Sequence, residues 1–170
     1  ADPGDVRYLD VNGDNKINNE DRIIIGSPTP DFIYGITLDL EYKGIDLSML
    51  LEGVKGGQIM NVFKNLYEGM PLAWGYNSST AVLDRWTEDN PSNEIPGASQ
   101  NDLNHSSSTR WLEDADYLKL KNIQIGYTLP NKFTNRAGIQ NTRIYVAGRN
   151  LLTFSKFSGL DPEVGRSESG

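Results

Sequence analysis

Residues 10–21, Asp10-Val11-Asn12-Gly13-Asp14-Asn15-Lys16-Ile17-Asn18-Asn19-Glu20-Asp21, hold the densest set of metal-seeking oxygens in the chain. A calcium loop of the EF-hand type needs side-chain oxygens at loop positions 1, 3, 5, 9 and 12 and a main-chain carbonyl at position 7. Asp10, Asn12, Asp14, Asn18 and Asp21 fall on the first five, and Lys16 supplies the carbonyl. Carboxylates mixed with amide oxygens suit a hard cation, and the expected ion is a structural Ca2+. Position 6 normally holds Gly because the backbone turns there with positive φ. Asn15, the non-Gly residue that tolerates this best, stands in its place. Position 12 holds Asp21 where Glu is usual, and Glu20 beside it offers a further oxygen. A metal-free Asx-rich turn is the plainer alternative. Ile17, at position 8, is expected to pin the loop to the body beneath. No long amphipathic helix precedes the loop. Gly4-Asp5-Val6-Arg7-Tyr8-Leu9 reads as extended, so the loop is a structural one rather than a paired sensor.

The elements that carry the loop are strands. From Phe32 a period of two begins: Phe32, Tyr34, Ile36, Leu38, Leu40 and Tyr42 share one face, and Gly35, Thr37, Asp39 and Glu41 the other, with Ile33 the exception. Lys43-Gly44 is a two-residue break, after which Ile45, Leu47, Met49 and Leu51 alternate with Asp46, Ser48, Leu50 and Glu52. A two-residue hairpin pairs Tyr42 with Ile45, Leu40 with Leu47, Leu38 with Met49 and Ile36 with Leu51, apolar against apolar throughout. A third strand spans about 116–129, with Ile123, Ile125, Tyr127 and Leu129 on one parity. Lys119 and Lys121 occupy that same parity in its first half, as in a strand half out of its apolar slab. A fourth spans about 142–154. There Ile144, Val146, Gly148, Leu152 and Phe154 oppose Arg143, Tyr145, Ala147 and Arg149, and Asn150 breaks the apolar face at a bulge. Between them, 131–141 is a connection with a helical turn at 132–137.

Residues 53–114 read as one long polar connection, with local helix at 59–66 and 81–86. Connections this long are usually functional. Trp74, Trp86 and Trp111 all lie in it. They are candidates for stacking on sugar rings, or they fill the loop's own small core. His105, the single histidine, reads as a solvated loop residue without catalytic or metal partners. Carboxylates cluster in 86–94 and 111–116. A glycosidase needs only two, but scattered loop acids are usually solvated, and no catalytic residue is assigned.

Composition narrows the function classes. The 170 residues carry 23 acidic against 16 basic side chains, a net charge of -7. Nucleic-acid binding needs a basic stripe and is not expected. There is no Cys, hence no disulfide framework or thiolate metal site. No apolar run approaches the length of a membrane helix, and no signal peptide is visible. Both ends read as cuts through a longer protein.

Alternating strands, a short turn at one end, a long loop at the other and Tyr or Phe toward the strand ends fit an outer-membrane barrel. A soluble sandwich also alternates, and pattern alone leaves the two open.

Several segments resemble the C-terminal part of the SusC/RagA family of TonB-linked outer-membrane transporters. They are Gly4-Asp5-Val6-Arg7-Tyr8 running into residues 10–21, Ile24-Ile25-Gly26-Ser27-Pro28-Thr29-Pro30-Asp31-Phe32, and Arg85-Trp86-Thr87-Glu88-Asp89-Asn90-Pro91. Arg110-Trp111-Leu112-Glu113-Asp114-Ala115-Asp116-Tyr117-Leu118-Lys119-Leu120-Lys121-Asn122 and Gly126-Tyr127-Thr128-Leu129-Pro130 follow. Gly148-Arg149-Asn150-Leu151-Leu152-Thr153-Phe154 and Gly159-Leu160-Asp161-Pro162-Glu163-Val164 complete the set, in the family's order. The resemblance implies an all-β fold. Antiparallel amphipathic strands would form part of the wall of a large transmembrane β-barrel with long extracellular loops. It implies a TonB-dependent importer of oligosaccharides or peptides in the outer membrane of a Bacteroidota-like Gram-negative bacterium, capped by a SusD-like lipoprotein and not an enzyme. Residues 1–170 would then be a barrel fragment, unable to transport alone and lacking the plug and TonB box. Residues 10–21 and 53–114 would stand at the extracellular rim. The rival reading is a secreted soluble calcium-binding β-module with a dockerin-like loop.

Overall fold

The computed structural model describes residues 2–69, 77–98, 102–135, 138–139 and 141–163. The chain divides into two units. One comprises 28–57 and 114–157, and the remaining residues form the other.

The first of these is a four-stranded antiparallel sheet of β1 (Phe32–Tyr42), β2 (Ile45–Lys55), β5 (Tyr117–Thr128) and β6 (Arg143–Ser155), in the order β1-β2-β5-β6. The β1–β2 register is the expected one: Tyr42 faces Ile45, Leu40 faces Leu47, Leu38 faces Met49 and Ile36 faces Leu51. Lys43 and Gly44 both take positive φ, 49° and 84°. That is the primed turn whose twist matches the flanking strands. The apolar rows continue across all four strands. Leu40, Leu47, Ile125 and Val146 form one row, and Tyr42, Ile45, Tyr127 and Ile144 another. At one end Tyr34 lies over Gly53 on the next strand, where any Cβ would collide with its ring.

The lysines at 119 and 121 do not leave the slab. Leu50 pairs with Asn122 but Leu51 with Leu120, so Lys121 is the extra residue of a β-bulge. The bulge reverses the parity of the strand's first half. It sends Leu118 and Leu120 to the apolar face and Tyr117 and Lys119 to the polar one. Lys119 then faces Glu52 across the sheet, and the Lys121 Nζ lies 3.5 Å from Glu52 Oε1. On β6 the matching irregularity holds Asn150, at φ 51°, as expected. The polar face carries Asp39, Glu41, Ser48, Gln124 and Arg149. Arg143 also lies there, its Nε donating to Asp46 Oδ1 at 2.9 Å.

The second unit is built from what the sequence presents as a connection. β2 runs on through Gly53-Val54-Lys55, so the connection starts later than residue 53. It contains β3 (Gln58–Met60) paired with β4 (Leu112–Asp114), helix α1 (Val62–Glu68) and a 3-10 turn at Thr80–Asp84. Its core is Ile59, Val82, Ile95 and Trp111, the last with 0% exposure. Two buried asparagines tie it together. Asn61 caps α1 by accepting from the Lys64 N–H at 2.9 Å and donates Nδ2 to Ser158 Oγ at 2.9 Å. Asn104 accepts the Val6 N–H at 2.9 Å and donates to Asp5 Oδ1 at 3.2 Å, fastening the extended N-terminal segment. Glu113 accepts from Lys64 Nζ at 3.2 Å and from the Ser158 N–H at 2.8 Å. Between β5 and β6, α2 occupies Asn131–Thr134. The end of the turn expected at 132–137 lies outside the described residues.

The apolar face of the sheet is uncovered. Leu40 is 54% exposed, Ile125 53% and Val146 77%. Burying each such side chain is worth about 1.5–3 kcal/mol, and a whole domain is stable by only about 5–15 kcal/mol. The 170-residue chain expressed alone without detergent is therefore expected to aggregate or pair through its edges. Mass in solution and the thermal transition are the measurements. A sharp cooperative melt from a monomer would contradict the uncovered face.

Candidate functional site

The candidate site is the loop at residues 10–21 and the unit around it. Its backbone is organised by its own side-chain oxygens. The Gly13 and Asn15 N–H groups donate to Oδ1 and Oδ2 of Asp10 at 2.6 and 2.7 Å. Asp14 N–H donates to Asn12 Oδ1 at 3.0 Å and Lys16 N–H to Asp14 Oδ1 at 2.8 Å. The two oxygens of Asp21 accept from Val11 N–H at 2.9 Å and Asn18 N–H at 2.8 Å, closing the ends of the loop on each other. Asn18 caps the short turn Asn19–Asp21, and Glu20 accepts the Asn12 side-chain amide at 3.2 Å. Asn15 sits at φ 61°, in the left-handed conformation that loop position 6 demands.

So Asp10, Asn12, Asp14, Asn18 and Asp21 lie on one self-closing turn with the Lys16 carbonyl. Each carboxylate oxygen keeps acceptor capacity beyond its loop N–H bonds. Among the described residues no three carboxylate or imidazole groups gather closely enough to form a metal cluster by themselves. A cation here would also need the two asparagine amides and the main-chain carbonyl. Ile17 does not pin the loop. It is 43% exposed and lines an open concavity in this unit.

The tryptophans separate. Trp74 lies outside the described residues. Trp111 cannot stack on a sugar, because it is wholly buried at the centre of the unit beneath the Arg110 guanidinium, 4.9 Å above its ring. Trp86 is half-buried with its ring against Gly4, where any Cβ would collide, and it lines the same concavity. His105 is not solvated either. Both ring nitrogens are shut off from solvent, and the ring lies against Gly69. Sequence reasoning missed Arg110, half-buried in the concavity wall, whose pKa is lowered by the loss of solvent. An Arg next to a Trp was the available signal. It missed Asn61 and Asn104 because an asparagine in a polar stretch looks like any loop residue.

No protein-family model matches the chain. Over 165 residues it is 38% identical to TonB-dependent receptor P3 of Formosa agariphila, which covers 96% of this chain. The chain belongs to the TonB-dependent receptor family. It spans 16% of that relative's length. TonB-dependent receptor SusC of Bacteroides thetaiotaomicron is 25% identical over 164 residues, covering 95% of this chain and 16% of the relative. A solved structure of the RagAB peptide transporter superposes with a TM-score of 0.76 at 31% identity, covering 88% of this chain and 17% of that one. The sheet is thus a stretch of all-β barrel wall of the SusC/RagA kind. TonB-dependent receptors are outer-membrane proteins, and these relatives are receptors and transporters rather than enzymes.

Asp21 gives the loop a pH signature. The N–H bonds it accepts from Asn18 and then Val11 hold its carboxyl below the usual aspartate range. A carboxyl lowered on folding stabilises the loop above its unfolded pKa, and that contribution is lost as pH falls through the lowered value. The Val11 and Asn18 amide resonances are expected to shift together with a midpoint below that of a free aspartate. Asp21→Asn should remove the transition. Amide spectra recorded across an acid titration are the check.

Proposed function

We propose that this chain forms part of the membrane wall and extracellular rim of a TonB-dependent outer-membrane importer of oligosaccharides or peptides, working with a SusD-like surface lipoprotein. The observation that carries the reading is the sheet with one continuous aliphatic face left exposed and one polar face laced with charge. A soluble sandwich would need a second sheet over that aliphatic face, and among the described residues none lies there. Leu38, Leu40, Leu47, Met49, Ile123 and Ile125 would meet lipid. Asp39, Glu41, Glu52, Arg143 and Arg149 would face the lumen.

The unit built from residues 2–27 and 58–113 would stand at the extracellular rim, where Trp86 and Trp74 are the candidates for stacking on substrate. The loop at 10–21 would hold one calcium ion through Asp10, Asn12, Asp14, Asn18, Asp21 and the Lys16 carbonyl, stiffening the rim rather than doing chemistry. The chain spans about a sixth of its curated relatives, so transport belongs to the whole receptor, energised through TonB.

Two measurements test this. In the full-length receptor, Leu38→Arg is expected to damage barrel assembly far more than Asp39→Arg, since an Arg at mid-membrane on the lipid face costs about 2–4 kcal/mol. Heat-modifiability on gels compares them, and equal tolerance would put the faces the other way round. Calcium titration by calorimetry should give a binding heat that Asp14→Asn reduces sharply. No heat, and no response to a chelator, would remove the metal from the rim.

A further inference from the structure

The loop at 10–21 holds the single Asn-Gly step of the chain, Asn12-Gly13. An asparagine side chain can lose its amide to the main-chain nitrogen of the next residue, and glycine, which has no Cβ, leaves that nitrogen least hindered. Gly13 takes φ 78°, and a Cβ built on it would meet no described atom within 4 Å, so there is room for ring closure. The three atoms of the step that change their bonding already have partners. The Gly13 N–H donates to Asp10 Oδ1 at 2.6 Å, within the reach that a general base needs. Asn12 Oδ1 accepts the Asp14 N–H at 3.0 Å, which places a donor on the oxygen where negative charge would develop. Asn12 Nδ2, the group that would leave, donates to Glu20 Oε2 at 3.2 Å. Asn12 and Gly13 are both exposed, so water reaches them. Asn18 offers a comparison within the same loop. Its Oδ1 accepts the Glu20 N–H at 2.7 Å in the same kind of turn, but the nitrogen after it belongs to Asn19, whose side chain crowds the approach.

We propose that Asn12 is a self-modifying site, which the folded loop deamidates through a succinimide on Gly13. Asp10 Oδ1 takes the proton from the Gly13 nitrogen as that nitrogen bonds to Asn12 Cγ, and the carbonyl electron pair moves onto Oδ1 beneath the Asp14 N–H. The carbonyl then reforms and the Cγ–Nδ2 bond breaks. The proton passes from Asp10 to Nδ2, which departs as ammonia. Water is the only co-reactant. Added at Cγ, it opens the ring to an aspartate at position 12. Added at the Asn12 main-chain carbonyl, it leaves an isoaspartate, with the chain continuing through Cγ. Both products carry a new carboxylate at loop position 3. The isoaspartate also lengthens the main chain by one carbon and removes the turn onto Asp14. The folded loop holds base, nucleophile and oxyanion donor together, whereas an unfolded chain must collect them afresh for each attempt. The modification therefore accumulates with the age of the folded loop. The inference rests on the loop's own geometry and not on calcium, substrate or the lipoprotein.

The test uses the purified full-length receptor, incubated in neutral buffer with a chelator so that no metal occupies Asp10. Peptide mapping by mass spectrometry follows conversion at Asn12 and Asn18 over time, and labelling by an isoaspartyl methyltransferase identifies the isoaspartate. A parallel sample is held unfolded in guanidinium at the same pH. Conversion at Asn12 is expected to run about tenfold faster in the folded receptor than in the unfolded one, a modest share of what a positioned general base supplies. Asn18 is expected to convert no faster folded than unfolded. Asp10→Asn keeps an acceptor oxygen for the Gly13 N–H and removes the base, so it should bring the folded rate at Asn12 down to the unfolded one. Trypsin cleavage after Lys16 at the unsubstituted receptor's rate shows that the loop of this variant is folded. Where it is not, the folded and unfolded samples of the unsubstituted receptor decide alone. Equal or slower conversion at Asn12 in the folded receptor overturns the inference, because the loop would then shield the step rather than drive it. An undiminished rate in Asp10→Asn overturns it as well.

Discussion

Everything in the sheet depends on cross-strand register. Side chains on a strand alternate faces, so a slip of one residue between neighbours would turn a whole row from one solvent to the other. The β1–β2 turn fixes the first register. Lys43 and Gly44 take left-handed conformations, and Tyr42 and Ile45 are locked opposite each other. From there the apolar rows propagate through β5 to β6, with Leu50 the aliphatic exception in the polar row of Thr37 and Asn122. The charged groups on the polar face reinforce this. Asp46 and Arg143 reach across Gly126 on the intervening strand, where any Cβ would collide with both. The ion pair and the glycine specify each other.

The unit carrying the loop follows a different logic. Among its described residues it has no extended sheet, and it gains order from the buried Trp111 indole and from asparagines that satisfy main-chain groups at long sequence separation. Asn104 reaches the chain near Val6 and Asn61 reaches Ser158. Each joins segments about a hundred residues apart and in turn has its own amide satisfied, which is the condition for a polar side chain to be buried without penalty. Glu113 adds a charged clasp between α1 and the segment at Ser158.

These two modes of construction explain what could be read from the residues. Periodicity is a local signal, and the hairpin from Phe32 to Glu52 displays it, so the start of β1, the turn and the pairings were legible, while Gly53-Val54-Lys55 at the end of β2 were not. The parity break at Lys119 and Lys121 was visible but ambiguous. A bulge and a strand leaving its slab give the same string of letters, and only the neighbours Leu51 and Glu52 distinguish them. The loop at 10–21 was legible down to the left-handed Asn15, because its hydrogen bonds lie within a dozen residues. Ile17 was misread because position within a loop says nothing about what lies beneath it. The core of Ile59, Val82, Ile95 and Trp111 was illegible, since four isolated residues dispersed over fifty positions make no period. The tie between Asn104 and the N-terminal segment was equally hidden.

The irregularity at Lys121 also governs length. At that level β2 passes directly from Leu50 to Leu51, β5 inserts one residue between Asn122 and Leu120, and β6 inserts Asn150 and Leu151 between Arg149 and Leu152. Each strand therefore carries one residue more than the last over the same height. At about 3.3 Å per residue, β6 holds about 7 Å more contour than β2. That excess has to be absorbed as coiling, and Asn150 in its left-handed conformation is where the surplus chain is taken up. The sheet is consequently fanned at this level, with its curvature written into strand length. Deleting Lys121 from β5 alone would flatten that curve while leaving Leu118 and Leu120 on the apolar face in regular alternation, and β6, with two extra residues, keeps its parity through the bend.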